Sequence, residues 1–222
     1  VILTSDLYNL KNLNDLSISG RRLDTLPDVI LGLTQLEYLS INYTSISHIP
    51  QDISNLTNLK YLSLSSNSIS VMPEEVTDLP NLEDLDLSFN QLSIIPATLQ
   101  KIARLKSIYI NSNNFTELPS ILAEMHNLEE IHASNNRLSG IPNNLENLKA
   151  LKKLILEGNY MKDLIHPDAY FKSLKHLSLS YNNISKIALR EGQLSNLTTL
   201  SLSGNGISNL SSDIKYLKKL VN

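Results

Sequence analysis

One pattern recurs along almost the whole chain and decides what it can fold into. The motif Leu-x-x-Leu-x-Leu-x-x-Asn-x-Leu returns with a constant stride of 23 residues. It starts at Leu13, Leu36, Leu59, Leu82, Leu105, Leu128, Leu151, Leu174 and Leu197. Self-similarity at a fixed short period is the signature of a solenoid, in which each unit contacts only its neighbours. The chain is therefore expected to be a row of small repeats and not one compact globule.

The fourth repeat shows what each position of the motif does. Leu85 and Leu87 alternate with polar residues, which is the pattern of a strand with one buried face. Farther on, Leu99 and Ile102 lie three residues apart, which favours a short helical or 3₁₀ segment on the back. A proline fixes the backbone angle φ at the start of this segment in six repeats, as Pro27, Pro50, Pro73, Pro96, Pro119 and Pro142.

An asparagine ends the strand in seven repeats, as Asn67, Asn90, Asn113, Asn136, Asn159, Asn182 and Asn205. Its side-chain amide offers donors and an acceptor, so it can satisfy backbone groups left open where the strand becomes a loop. Stacking of the repeats then predicts a ladder of amides inside the solenoid. Arg21 and Thr44 take this position in the first two repeats, which indicates fraying towards the N-terminal edge.

From Leu13 to Ile214 this motif resembles the leucine-rich-repeat family, and most of all the 23-residue bacterial repeats that read Ile-Pro-x-x-Leu-x-x-Leu-x-x-Leu. The resemblance implies an α/β repeat solenoid shaped like a horseshoe. A parallel β-sheet lines its concave face, and short helical or 3₁₀ segments form its convex face. We expect a single solenoid domain over residues 1–222: a partial repeat at 1–12, nine full repeats, and another partial repeat from residue 220. Because both ends stop inside a repeat, flanking segments or atypical terminal turns are expected.

Composition and charge narrow the range of partners. The formal net charge of −3 provides no basic field that would attract a nucleic acid. The chain has no apolar run suited to membrane insertion, and the lack of cysteine removes disulfide caps and thiolate zinc sites. The resemblance to bacterial repeats suggests a secreted or cell-surface bacterial protein that engages host proteins, and a cytoplasmic location is the alternative.

Repeats seven and eight depart from the pattern on their back segments. Ile165 and Ala188 replace the proline, and Asp168 and Glu191 stand where other repeats have leucine or isoleucine. The back of repeat seven must follow a different path, with Phe171 in the last core position. We interpret this as a change of turn type, since connections vary between repeats, and a second binding edge on the convex side is the alternative.

Binding residues are expected on the exposed face of the strands, where every second side chain points away from the core. At the fifth motif position, large residues occupy the four central repeats as Asp86, Tyr109, His132 and Ile155, whereas serine suffices in the other five. Nothing in the fold demands this block. Because a few large central residues usually dominate an interface, the block predicts the centre of a protein-binding patch.

The rest of the predicted partner-binding set surrounds this centre. The third motif position contributes Tyr38, Tyr61, Asp84, Glu130, Lys153 and His176, and the eighth position contributes Phe89 on the rim beside Tyr43 and Tyr181. Aromatic side chains of this kind bury a large area at a small entropic cost.

Other functions fit the sequence less well. Glu130, His132 and His176 lack metal-ligand spacing, so neither a metal nor another cofactor is predicted. The chain has no nucleophile beside a base and no phosphate-binding loop, so it is not predicted to be an enzyme. A glycan- or matrix-binding adhesin stays open, as does the substrate-recognition arm of a larger enzyme whose catalytic domain lies outside this sequence. We expect a monomer or a weak end-to-end dimer.

Overall fold

The computed structural model describes residues 5–20, 22–142, 144–166, 168–209 and 211–222. Arg21, at the head of the asparagine column, lies outside these ranges. The chain divides into two compact units, Val1–Ile108 and Tyr109–Asn222, which we call the N-terminal unit and the C-terminal unit. No helix within the described ranges is long and apolar enough to cross a membrane.

One short strand per repeat builds the sheet of the N-terminal unit. The strands are β1 (Asp15–Ser19), β2 (Tyr38–Asn42), β3 (Tyr61–Ser63) and β4 (Asp84–Asp86), followed by β5 (Ser107–Tyr109), which includes the division between the units. Strands β1 to β4 are parallel and pair in chain order. Each residue lies beside its equivalent in the next repeat, as Leu39 does beside Leu62. Equivalent motif positions therefore form straight columns across the sheet.

The C-terminal unit repeats this arrangement. Its strands are β6 (Glu130–His132), β7 (Lys153–Ile155), β8 (His176–Ser178) and β9 (Thr199–Ser201), again parallel and paired in chain order with the register of one repeat. The predicted parallel sheet with one strand per repeat is confirmed.

Short helical turns carry the chain back from one strand to the next. In the N-terminal unit these are α1 (Asp28–Leu31) and 3₁₀ helices at Ser5–Asn9, Gln51–Asn55, Glu74–Asp78 and Ala97–Lys101. In the C-terminal unit, 3₁₀ helices occupy Ser120–Glu124, Leu145–Asn147 and Ser212–Tyr216. Pro27 precedes α1 with φ of −68°, and Pro50 precedes the next helix with φ of −65°, so the proline has its predicted role at the start of the back segment.

Leucine and isoleucine side chains fill the space between the strands and the back segments. In the fourth repeat Leu82, Leu85, Leu87 and Leu99 are each 0% exposed, and Ile102 is 1% exposed. Each repeat adds a similar layer, so the core continues from repeat to repeat within a unit. Full burial of one such side chain stabilises the fold by about 1.5–3 kcal/mol.

The asparagine ladder forms as predicted. The side-chain amide of Asn136 donates to the backbone carbonyls of Ile110 (2.9 Å), Ala133 (3.1 Å) and Ser134 (3.2 Å). Its Oδ1 accepts the N–H of Phe115 at 3.1 Å. Asn90, Asn159 and Asn182 repeat this arrangement with their own neighbours. Each asparagine thus ties its own strand end to the preceding repeat.

Thr44 does not leave the ladder, contrary to the interpretation of this position as frayed. Its hydroxyl donates to Oδ1 of Asn67, which also accepts the N–H of Ile46 at 3.3 Å. A hydroxyl has a single donor, and that of Thr44 bonds to the asparagine of the next repeat, whereas the amide of Asn136 donates to carbonyls of its own and the preceding repeat. The ladder therefore begins at Thr44 within the described part of the N-terminal unit.

The irregular backs of repeats seven and eight follow a changed path. Phe171 is 2% exposed and Ile165 is 4% exposed, which confirms that Phe171 fills the core. Asp168 points outward and pairs with Arg190 at 2.7 Å. The buried Gln193 joins the two backs: its amide donates to the carbonyl of Ala169 at 3.1 Å, and its Oε1 accepts the N–H of Arg190 at 2.6 Å. Amide and ion-pair contacts replace the helical turn here.

Candidate protein-binding site

The exposed face of the strands, here called the sheet face, carries the predicted binding residues in both units. In the C-terminal unit Tyr109, His132 and Ile155 occupy the fifth motif position of successive repeats, and His132 lies directly beside Ile155 in the strand register. The rings of Tyr109 and His132 pack together with their centroids 4.5 Å apart and an interplanar angle of 33°. Ring pairs at this separation attract each other beyond the area they bury.

A hydrogen-bond network fixes the imidazole of His132. Its Nε2 lies 2.9 Å from Oε2 of Glu130, and its side chain is only 16% exposed. Nζ of Lys153, on the next strand, lies 3.4 Å from the same carboxylate oxygen. We call Tyr109, Glu130, His132, Lys153 and Ile155 the Tyr109–His132 patch. Its large side chains are held in place by one another on rigid strands.

The charges of this patch alter the titration of its carboxylate. Burial by itself would raise the pKa of Glu130, but the hydrogen bond from His132 and the positive charge of Lys153 outweigh it and lower that pKa below its ordinary value. Glu130 therefore stays ionised at neutral pH, and its carboxylate contacts both His132 and Lys153.

His176 borders the patch without joining its network. It lies beside Lys153 in the register of β7 and β8, and its side chain is exposed. Farther along the face, the hydroxyl of Ser178 donates to Oε1 of Glu157. The polar groups around the patch are thus partly engaged with one another, whereas His176 faces solvent.

In the N-terminal unit the predicted residues separate into aromatic and acidic groups. Tyr38 and Tyr61 are direct neighbours in the register of β2 and β3, with Tyr38 43% exposed, and Asp84 continues their column. Asp86 is tied into the sheet, because one of its oxygens accepts the Ser63 hydroxyl at 3.2 Å and the other accepts the N–H of Ser88 at 2.9 Å. Asp86 thus satisfies a backbone N–H just after the end of β4, a role that its sequence position did not suggest.

The eighth motif position has a property that the sequence pattern did not predict. In every repeat its residue has positive φ, between 51° and 68°, at Gly20, Tyr43, Ser66, Phe89, Ser112, Asn135, Gly158, Tyr181 and Gly204. This left-handed conformation suits glycine and disfavours bulky side chains. Yet Tyr43, Phe89 and Tyr181 stand here with 68%, 56% and 68% of their surface exposed. The three glycines in the column are the sequence signal that could have revealed it.

A small cavity lies away from the sheet face, at the irregular back of the C-terminal unit. It has a volume of about 110 Å³ and is lined by residues that include Gly140, Met161, Asp163 and His166. This volume suits a few water molecules. Among the described residues no group of three or more His, Cys, Asp or Glu is placed to hold a metal ion. The Tyr109–His132 patch is consequently the best-defined candidate site.

Comparison with known sequences decides the family. The family model of the leucine-rich repeat region matches residues 45–174, and a model of two leucine-rich repeats matches residues 172–220. The chain belongs to the leucine-rich repeat family. Leucine-rich repeat domains are in general non-catalytic binding scaffolds, and this fold supports a protein-binding scaffold. No curated protein matches the chain in sequence.

Solved structures agree with this leucine-rich repeat fold. The chain is similar to a leucine-rich-repeat protein of Leptospira interrogans, with 26% identity and a TM-score of 0.65 over 98% of this chain and 67% of that one. It is also similar to the plant peptide hormone receptor RGFR1, solved in complex with RGF2, with 29% identity and a TM-score of 0.76 over 95% of this chain and 35% of the receptor chain. An internalin from Listeria monocytogenes shares the fold at 24% identity, with a TM-score of 0.69 over 98% of this chain and 75% of that one.

Proposed function

We propose that this leucine-rich repeat protein binds a protein partner through its sheet face, and that the Tyr109–His132 patch is the centre of contact in the C-terminal unit. The observation that carries the proposal is the packed and hydrogen-bonded arrangement of Tyr109, His132 and Glu130. These side chains lie outside the leucine core, and serine occupies the fifth position in five other repeats.

Pre-arranged side chains favour binding because less freedom is lost when the partner arrives. The strands hold the backbone, the ring contact orients Tyr109, and the link to Glu130 orients His132. Ile155 adds a half-buried apolar surface next to His132. An aromatic and apolar centre bordered by charges is the usual composition of a protein interface. The fold of a receptor solved with its ligand supports the same class of function.

The N-terminal unit contributes a second set of contacts in this proposal. Tyr38 and Tyr61 form an adjacent aromatic pair, Asp84 follows them, and Phe89 projects from the rim. This pair of rings beside a carboxylate is also the observation that favours glycan binding as a second candidate function, since sugars stack on aromatic rings and bond to carboxylates.

We also propose, on the resemblance to bacterial repeats alone, that the protein is secreted or surface-exposed and meets host proteins. Fractionation of the source cells tests the location, with antibody detection in the medium, on the surface and in the cytoplasm. Confinement of the protein to the cytoplasm would contradict this part of the proposal.

The binding proposal is tested by affinity capture from cell extracts with quantitative mass spectrometry. The baits are the wild type, the Tyr109→Ala/His132→Ala variant, and a Tyr160→Ala/His126→Ala control. The control removes the same residue types from exposed positions of the same unit that lie off the strands. We expect a protein captured by the wild type and the control but lost with the Tyr109→Ala/His132→Ala variant. Equal capture by all three baits would refute the patch.

A further inference from the structure

The second motif position carries a regular alternation of charge just before each strand. Its column reads Asn14, Glu37, Lys60, Glu83, Lys106, Glu129, Lys152, Lys175 and Thr198. Three of these lysines form ion pairs with the glutamate of the preceding repeat. The distance from the lysine Nζ to the glutamate Oε2 is 2.7 Å for Lys60 and Glu37, 2.6 Å for Lys106 and Glu83, and 2.5 Å for Lys152 and Glu129. Glutamate thus alternates with lysine, and each glutamate is matched by the lysine of the following repeat.

This alternation fails at Lys175. After Lys152 the alternation predicts a glutamate at the second position of repeat eight, but Lys175 occupies it. The same position of repeat nine is the uncharged Thr198. His176, the next residue, lies between Lys153 and Thr199 in the strand register. Lys172, Lys175 and His176 are all exposed, and none of them makes an ion pair in the described part of the chain. We call these three residues the basic corner.

Three carboxylates on or beside the neighbouring strands already have partners. Glu129 is paired with Lys152, and Glu130 is held by His132 and Lys153. Glu157 accepts the hydroxyl of Ser178. Lys172 and Lys175 make no ion pair among the described residues, so their positive charge is available to a group from outside the chain, and a row of carboxylates is complementary to it.

We propose that the basic corner binds an acidic segment of the protein partner, a stretch of glutamate or aspartate side chains that continues from the Tyr109–His132 patch. The inference rests on the proposed protein-binding function and names the chemistry of the partner. The corner adjoins the patch through the register contact of His176 with Lys153. A nucleic acid fits less well, because the chain has a net charge of −3 and glutamates line the same column as Lys175.

The probe for this inference is a fluorescein-labelled peptide of ten glutamates, titrated with the full chain and followed by fluorescence anisotropy at low ionic strength. The variant is Lys175→Glu, which places a carboxylate beside Lys152 and so restores the alternation without threatening the fold. The control is Lys186→Glu, the same change of charge at an exposed position of the same unit that lies off the strands. A fluorescein-labelled peptide of ten lysines serves as the control probe of opposite charge.

We expect the glutamate peptide to bind the wild type more tightly than the lysine peptide does, and its affinity to fall as salt is added. Lys175→Glu should weaken that binding about tenfold, since an attraction becomes a repulsion at an exposed site, while Lys186→Glu stays within about twofold. Absence of glutamate-peptide binding by the wild type would overturn the inference. So would equal weakening by both variants, because the effect would then reflect net charge alone.

The two proposals fail separately. If a captured partner is lost with Tyr109→Ala/His132→Ala but binds Lys175→Glu as tightly as the wild type, the patch stands and the basic corner is refuted. If Lys175→Glu weakens binding of the glutamate peptide, but Tyr109→Ala/His132→Ala captures the partner as well as the wild type does, the acidic-segment site stands and the patch is refuted.

Discussion

Replacing Asn136 by alanine tests how the repeats are held together, and the structure gives its expected cost. The side chain is 6% exposed and makes the hydrogen bonds described above to Ile110, Phe115, Ala133 and Ser134. In Asn136→Ala the three carbonyls keep other donors, since Asn113 also reaches Ile110, Asn159 reaches Ala133, and Ser112 reaches Ser134.

The N–H of Phe115 loses its acceptor in this variant. A buried donor left without a partner costs about 1–3 kcal/mol, and each lost bond to a carbonyl costs about 0.5–1.5 kcal/mol. Because the three carbonyls keep other donors, each of their losses lies at the low end of this range, and the terms together predict that Asn136→Ala lowers the free energy of unfolding by about 2.5–4.5 kcal/mol. Urea denaturation followed by far-ultraviolet circular dichroism measures this loss.

Two other asparagines provide the comparison. Asn147 is exposed on a back segment, so Asn147→Ala should change the stability by less than about 0.5 kcal/mol. Asn205 belongs to the ladder but is only partly buried, so Asn205→Ala should cost less than Asn136→Ala because water can reach the groups it leaves. A loss below about 1 kcal/mol for Asn136→Ala would refute the reasoning, since it would mean that the Phe115 N–H finds a replacement partner.

Three further predictions address strain, charge and the core. A Cβ at Gly204 would overlap Cδ1 of Tyr181, and the φ of +68° there disfavours any side chain. Gly204→Ala should therefore lower the unfolding free energy by about 2 kcal/mol, and by only about 1 kcal/mol in a Tyr181→Ser background. A double-mutant cycle in urea measures this, and equal losses in both backgrounds would contradict it. The pKa of Glu130 is lowered, so the stability advantage of the wild type over Glu130→Gln should hold above about pH 4.3 and shrink as the pH falls further. Thermal denaturation from pH 7 to pH 3 measures that advantage. An advantage that grew on acidification would mean that folding raises the pKa of Glu130, which contradicts the prediction. Phe171→Ala should cost about 3–5 kcal/mol because it empties a buried position, and a loss below about 1 kcal/mol would show that the altered back collapses around the gap.

The sequence could predict the fold because the repeat fixes the register. A stride of 23 residues places Leu39 beside Leu62, and a slip of one residue would turn the leucines outward. The asparagine ladder followed from the same stride, since an amide at one height in each repeat meets the same backbone groups. The burial of Phe171 could be predicted because the same stride places it at the motif position that Ile102 has in the fourth repeat.

The side-chain contacts of the site could not be predicted from the 23-residue period. The column predicted that Tyr109 and His132 would be neighbours, but their ring contact and the link to Glu130 depend on side-chain rotamers. The second role of Asp86, which accepts the Ser88 N–H, depends on the local path of the chain after β4. The positive φ of Tyr181 is not signalled by tyrosine itself, and only the glycines that share its column indicate it.

The dissociation constant of a captured partner tests the central claim most directly. Calorimetric titration compares the wild type, Tyr109→Ala/His132→Ala and the Tyr160→Ala/His126→Ala control, each first shown by circular dichroism to be folded. Loss of two central contacts of an interface predicts a dissociation constant about 100-fold weaker for the first variant, with the control within about twofold of the wild type. Equal dissociation constants for all three proteins would contradict recognition through the Tyr109–His132 patch.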